Sequence, residues 1–174
     1  MSKFRLLLLI FAFGLICTSS KLYAQKNTNN SKDLATFLKN KNYVAVPLNK
    51  YPTGHLYLSA TINDTLGIFI LDTGAGGTVV EEKREEKFKL SSEKSDIKAV
   101  GAGASNMNIK TTIAAVKLAD YNSELTIHLM NLDHVNNAFK QLGLEEIDGV
   151  IGADILTNGK AIIDYENLIL YLQQ

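Results

Sequence analysis

Ile68-Phe69-Ile70-Leu71-Asp72-Thr73-Gly74-Ala75-Gly76-Gly77-Thr78-Val79-Val80 decides how this chain is read. Four apolar residues run into an acid, a small hydroxyl and a cluster of glycines. The apolar run predicts a buried strand, so Asp72 emerges where a core element ends. Taking an unpaired carboxylate out of water is costly. Such an acid is therefore paired, or held at a shifted pKa for a purpose. Gly74, Gly76 and Gly77 allow a tight turn whose backbone N–H groups can face the carboxylate. Two readings stand on these residues: a reactive acid, or a strand-to-turn aspartate that merely accepts hydrogen bonds.

Outward from this stretch the pattern has period two. Tyr43 to Leu48, His55 to Ile62 and Gly67 to Leu71 predict strands, with a turn at Asn63-Asp64-Thr65. Ile97 to Val100 and Met107 to Thr112 predict a hairpin around Gly101-Ala102-Gly103-Ala104. Ile113 to Leu118 and Leu125 to Leu132 predict two more strands about Asp120 to Ser123. The charge run Glu81 to Lys89 predicts a short solvated helix, with Glu85 and Lys89 spaced to pair. Asp33 to Asn40 predicts a short helix, and His134 to Leu142 a second one stopped by Gly143. At the end, Ala161 to Tyr165 and Leu168 to Leu172 predict a hairpin with Glu166-Asn167 as a two-residue turn. Many short strands with polar turns indicate an all-β sandwich or barrel with one or two short helices.

The 174 residues, 46% hydrophobic and 21% charged, suit one ordinary globular domain. They exclude a disordered tail protein, a collagen-like chain and a polytopic membrane protein. With 18 basic and 18 acidic side chains and no basic stripe, a general nucleic-acid binder is also excluded. Lys3 and Arg5, the apolar run Leu6 to Ile16 and the ending Leu22-Tyr23-Ala24 predict a secretory signal over residues 1–24, cleaved after Ala24. The apolar run is too short to span a bilayer, which takes about 20 residues. Ile16 ahead of Cys17 argues against lipid attachment. Cleavage would remove the one cysteine, and with it disulfides, thiol catalysis and cysteine-based zinc sites. The expectation is an exported, periplasmic or secreted protein with no stable membrane insertion. Residues 25–42 would be a flexible leader with a short helix, and 43–174 the folded domain.

Asp72-Thr73-Gly74-Ala75-Gly76 behind an apolar strand resembles the catalytic signature of retropepsin-like aspartic proteases. Asp148-Gly149-Val150-Ile151-Gly152-Ala153-Asp154-Ile155-Leu156 resembles that family's second motif, two apolar residues and a glycine opening a short helix. The order of elements matches over residues 43–172 and looks closest to the bacterial secreted, single-domain type. Gly76 stands where serine is frequent in the family. The resemblance implies an acid-protease β-barrel of one lobe, with Asp72 catalytic. It implies an active-site loop of Thr73, Gly74, Ala75 and Gly76, in which the Thr73 hydroxyl braces two loops. Gly101, Ala102 and Gly103 would form a flap over an extended substrate bound as an added strand. Ile151, Gly152, Ala153 and Asp154 would form the structural second motif. The family's chemistry sets two aspartates on one water, one as base and one protonated, with no metal or cofactor.

The second aspartate needs a source. Asp64-Thr65-Leu66 lacks the glycine. Asp154 is the internal rival, but it lies in the first turn of a predicted helix, where an acid suits the helix dipole. Asp164 reads as structural. The resemblance therefore implies a homodimeric endopeptidase hydrolysing peptide or protein substrates, with one Asp72 from each subunit. The strand Leu168 to Leu172 is the expected meeting place. His55, His128 and His134 share no metal-ligand spacing, and His128, between Ile127 and Leu129, is expected to face outward. The alternatives are a catalytically inactive peptide-binding module of the same fold in the cell envelope, or an envelope structural protein.

Overall fold

A computed structural model describes residues 32–101 and 104–174, with the side chains of 95–108 outside that description. The expected signal segment also lies outside it. The chain separates into two units, Met1–Lys41 and Asn42–Gln174. In the first, residues 32–39 form a helix, α1, at the place the sequence predicts.

The second unit is mostly β. In chain order it holds β1 (Tyr43–Pro47), β2 (Asn49–Lys50), β3 (Leu56–Ile62), β4 (Thr65–Leu71), β5 (Val79–Glu81), β6 (Glu93–Gly101), β7 (Ala104–Leu118) and β8 (Tyr121–Met130). Then come α2 (Asp133–Gln141), β9 (Gly149–Ile151), α3 (Ala153–Asn158), β10 (Ile162–Asp164) and β11 (Ile169–Gln173). The larger sheet runs β2-β3-β4-β9-β5-β8-β7-β6, and β3 also pairs with β7 through Thr61↔Lys117 and Ile62↔Val116. That extra pairing closes six strands into the single-lobe barrel the sequence predicts.

Alternation along the strands sorts side chains to the two faces. Leu58, Phe69, Val80 and Leu129 lie in register on adjacent strands and are fully buried inside the barrel. Gly149 shares that row, and a Cβ there would sit 2.1 Å from the Val79 carbonyl oxygen. The opposite face carries Tyr57, Ile70, Val150, Val79 and His128 in register. Ile70 and Val150 on this outer row pack in a second cluster with Phe139 of α2 and Ile147. The β3–β4 turn uses Asn63 at φ 46° and Asp64 at φ 62°, the left-handed pair that a two-residue hairpin needs.

Several local expectations are corrected. Within Glu81 to Lys89 a single 3-10 turn forms, over Glu82–Arg84. Phe88 is fully buried, 5.9 Å from the Phe69 ring, so its burial overrides helical propensity in the charge run. Glu85 binds Ser92 and the Lys110 ammonium (2.9 Å) instead of Lys89. Met107 to Leu118 lies within one fifteen-residue strand, not two strands. Asp164 pairs with Ile169, so four residues make the last hairpin loop. Asp164 Oδ1 accepts from the Glu166 and Asn167 amides there, in the structural role expected of it.

The largest correction concerns β11. It is the middle strand of a three-stranded sheet, β1-β11-β10. Leu170 and Leu172 are fully buried in the main core. The strand expected as the meeting place, Leu168 to Leu172, therefore already has a partner on each side within the one chain.

Candidate active site

β4 and β9 run in parallel, with Ile70 beside Val150 and Leu71 beside Ile151. This pairing brings the two sequence motifs together at one end of the barrel. The Asp72 amide continues the ladder by donating to the Ile151 carbonyl at 3.1 Å. The Asp72 side chain leaves the core and is exposed in the protomer. Its Oδ1 accepts from the Gly74 amide at 2.8 Å, so one of the three glycines does turn its N–H toward the carboxylate.

None of these loop glycines is needed for dihedral freedom. Gly74, Gly76 and Gly77 are not among the residues with positive φ. A Cβ on Gly77 would meet the His128 ring at 2.9 Å, whereas at Gly76 the space is open. Gly152 leaves no room for a side chain against the loop, since a Cβ there would lie 2.4 Å from Gly77 O and 3.0 Å from Ala75 O. Its bare backbone lets the second motif close on the loop, where the Ala153 amide donates to Ala75 O at 2.7 Å.

Asp154 performs the main clamp. Its Oδ2 accepts from the Thr78 amide and its Oδ1 from the Thr78 hydroxyl, both at 2.8 Å. Oδ1 also accepts from the Ile155 amide at 2.8 Å. Gly152 N donates to Thr78 Oγ1 at 3.3 Å. Thr78 is fully buried, so these bonds satisfy groups that water cannot reach. Both Asp154 oxygens are thus committed to structure, as its place in the second motif suggests. Thr73 is exposed, and among the described residues its hydroxyl has no partner within the protomer. Gly101 ends β6 opposite Ala104, while Ala102 and Gly103 lie outside the described residues.

Sequence reasoning missed two buried acids that tie the neighbouring elements together. Asp148 accepts from Ile68 N at 2.9 Å and pairs with Lys87 Nζ at 2.7 Å and Arg84 Nε at 3.4 Å. Glu81 accepts from Leu132 N at 2.6 Å, and its own amide donates to the Asp148 carbonyl. The one sequence signal was an acid directly after the apolar pair Val79-Val80. No group of three or more possible metal ligands occurs among the described residues.

The aspartyl protease family profile matches residues 58–155, more than half of the chain and both motifs. No curated protein matches. Among solved structures, a retropepsin-like aspartic protease from Rickettsia conorii is 18% identical, with TM-score 0.53 over 75% of this chain and 90% of that one. The EIAV protease in complex with an inhibitor is also 18% identical, with TM-score 0.50 over 67% of this chain and 98% of that one. A barrel that parks an Asp-Thr-Gly loop on a glycine-opened second motif, matched by this profile, places the chain in the aspartyl protease family, with the retropepsin-like fold.

Proposed function

We propose that the protein is an exported aspartic endopeptidase working as a homodimer, with one Asp72 from each subunit on a shared water. The carrying observation is that Asp72 stands exposed at the end of β4, in a loop held from behind, while Asp154 is fully engaged. One protomer thus presents half of a two-carboxylate site. β1 and β10 are the outer strands of the small sheet, and a second copy can add there. A hollow of about 380 Å³ on the barrel wall, lined by Val46, Ser59, Leu66 and Lys117 among others, does not include Asp72.

Two carboxylates about 3 Å apart share one proton and titrate as a pair. The ionised member takes a proton from the water as its oxygen adds to the peptide carbonyl carbon. The protonated member gives its proton to the carbonyl oxygen. Collapse of the tetrahedral adduct breaks the C–N bond as the base returns its proton to the leaving nitrogen and the other carboxylate takes a proton back from an adduct hydroxyl, which leaves the carboxylic acid and restores the pair. The Gly74 N–H on Asp72 Oδ1 fixes the orientation of that carboxylate.

The test is Asp72→Asn. The variant is expected to fold and to lose peptidase activity. Mixed in equal amount with wild type, it leaves only about a quarter of dimers with both acids, and wild-type specific activity falls on dilution. An active species that stays monomeric across the dilution series would refute the split site. Binding of peptides without hydrolysis by the wild-type dimer would favour the peptide-binding module.

A further inference from the structure

The barrel's outer row passes beside the active-site loop at His128, which the chemistry above does not use. Tyr57, Ile70, Val150, Val79 and His128 lie side by side on five adjacent strands, and the row passes two residues before Asp72. Ile70, Val150 and Val79 are apolar, and the row turns polar at His128, with Thr111 of β7 next in register. Its amide donates to the Thr78 carbonyl at 3.0 Å, which fixes its strand against the loop. Its ring lies on Gly77: a Cβ there would meet both Cδ2 and Nε2 at 2.9 Å. The imidazole therefore fills the place of a side chain at position 77. At Gly76 beside it, nothing among the described residues stands within 4 Å of the Cβ position.

The two ring nitrogens differ. Nδ1 is buried and has no hydrogen-bond partner among the described residues. A buried N–H without an acceptor is costly, so the neutral ring keeps its proton on Nε2, the nitrogen against the loop. Asp154 Oδ2 lies 3.9 Å from the same Cβ position on Gly77, so an anionic group arriving there meets a like charge. A neutral oxygen acceptor meets none.

We infer that His128 determines specificity, donating its Nε2–H to the side-chain amide oxygen of a substrate Asn or Gln lying over Gly76 and Gly77. This rests on the peptidase reading for its substrate class, peptides. The test uses the full chain and matched peptide sets with Gln against Met, Asn against Leu, and Gln against Glu at each position around the cleavage site. Wild type is expected to favour the amide at one position by about three- to tenfold in kcat/KM, the yield of one hydrogen bond. His128→Phe collapses that ratio toward one, and His128→Gln, which keeps a side-chain N–H, restores part of it.

The same peptides are titrated into Asp72→Asn protein, with and without His128→Phe, by fluorescence anisotropy. Amide-dependent binding that His128→Phe removes, without hydrolysis by wild type, overturns the peptidase reading and supports the role of His128. Hydrolysis with no amide preference, or with one that His128→Phe leaves intact, overturns the role of His128 alone. A preference for Glu over Gln overturns it too. Neither hydrolysis nor binding overturns both.

Discussion

Asp154→Ala tests whether the second motif is a clamp or holds the missing acid. The substitution removes the acceptor of three hydrogen bonds, from the Thr78 amide, the Thr78 hydroxyl and the Ile155 amide, each at 2.8 Å. Thr78 is fully buried, so its amide is left without a partner, while its hydroxyl keeps the Gly152 amide as a donor. A buried donor left unpaired costs about 1–3 kcal/mol. With two Thr78 donors affected, the expected loss is about 3–5 kcal/mol, a large part of the roughly 5–15 kcal/mol that holds a domain together. At about 2–4 °C per kcal/mol for a domain of this size, Tm should fall by about 6–20 °C. Urea denaturation gives the free energy, and hydrogen exchange at the Thr78 amide locates it. Asp154→Asn keeps one accepting oxygen and should cost about 1 kcal/mol. An Asp154→Ala protein of wild-type stability would refute the clamp. So would an Asp154→Asn protein of full stability and no activity, which would identify Asp154 as the second acid.

Gly152→Ala places a methyl 2.4 Å from Gly77 O, against backbone that cannot rotate away. It should destabilise by about 1–3 kcal/mol and weaken peptide hydrolysis, read from thermal unfolding and kcat/KM together. Phe88→Ala empties a fully buried site beside Phe69 and should cost about 3–5 kcal/mol by urea denaturation, far more than a solvated surface helix would predict. Glu85 is held below its ordinary value of 4.5 by the Ser92 hydroxyl first and the Lys110 ammonium second. Its contribution is complete above the ordinary value and is lost as pH falls through the lowered one. Glu85→Gln should therefore narrow the stability gap between neutral and acid buffer, measured as Tm against pH.

The Asp72 loop and the Gly152 turn were legible because each is a contiguous run whose residue types carry the meaning. The strands were legible through period two, and the β3–β4 turn through Asn63-Asp64. What stayed hidden depends on partners distant in sequence. Thr78 and Asp154 are 76 residues apart, and nothing local to Thr78 announces an acceptor. The ties of Asp148 to Lys87, Arg84 and Ile68 cross the barrel in the same way. Glu85 has Lys89 at helical spacing, yet the buried Phe88 denies the helix, and Lys110 on β7 supplies the charge instead. The filled edges of β11 could not be read from its alternation, which an edge strand and a central strand share. His128 shows the limit of a period argument: it faces out of the barrel as expected, and outward there means against Gly77 of the Asp-Thr-Gly loop.

The parallel pairing of β4 with β9 also orders events in time. Residues 69–71 take their neighbours from residues 149–151, and β1 takes its own from the last strand, Ile169–Gln173. Contacts of such long sequence separation form slowly, because a long loop must close first. A ribosome delivers Asp72 well before Gly152 and Asp154, so the nascent chain carries a loose Asp-Thr-Gly segment with nothing to rest on. The loop gains its shape only when the final quarter of the chain has emerged. A chain truncated ahead of Gly152 should thus hold the Asp-Thr-Gly residues without the geometry that gives them meaning.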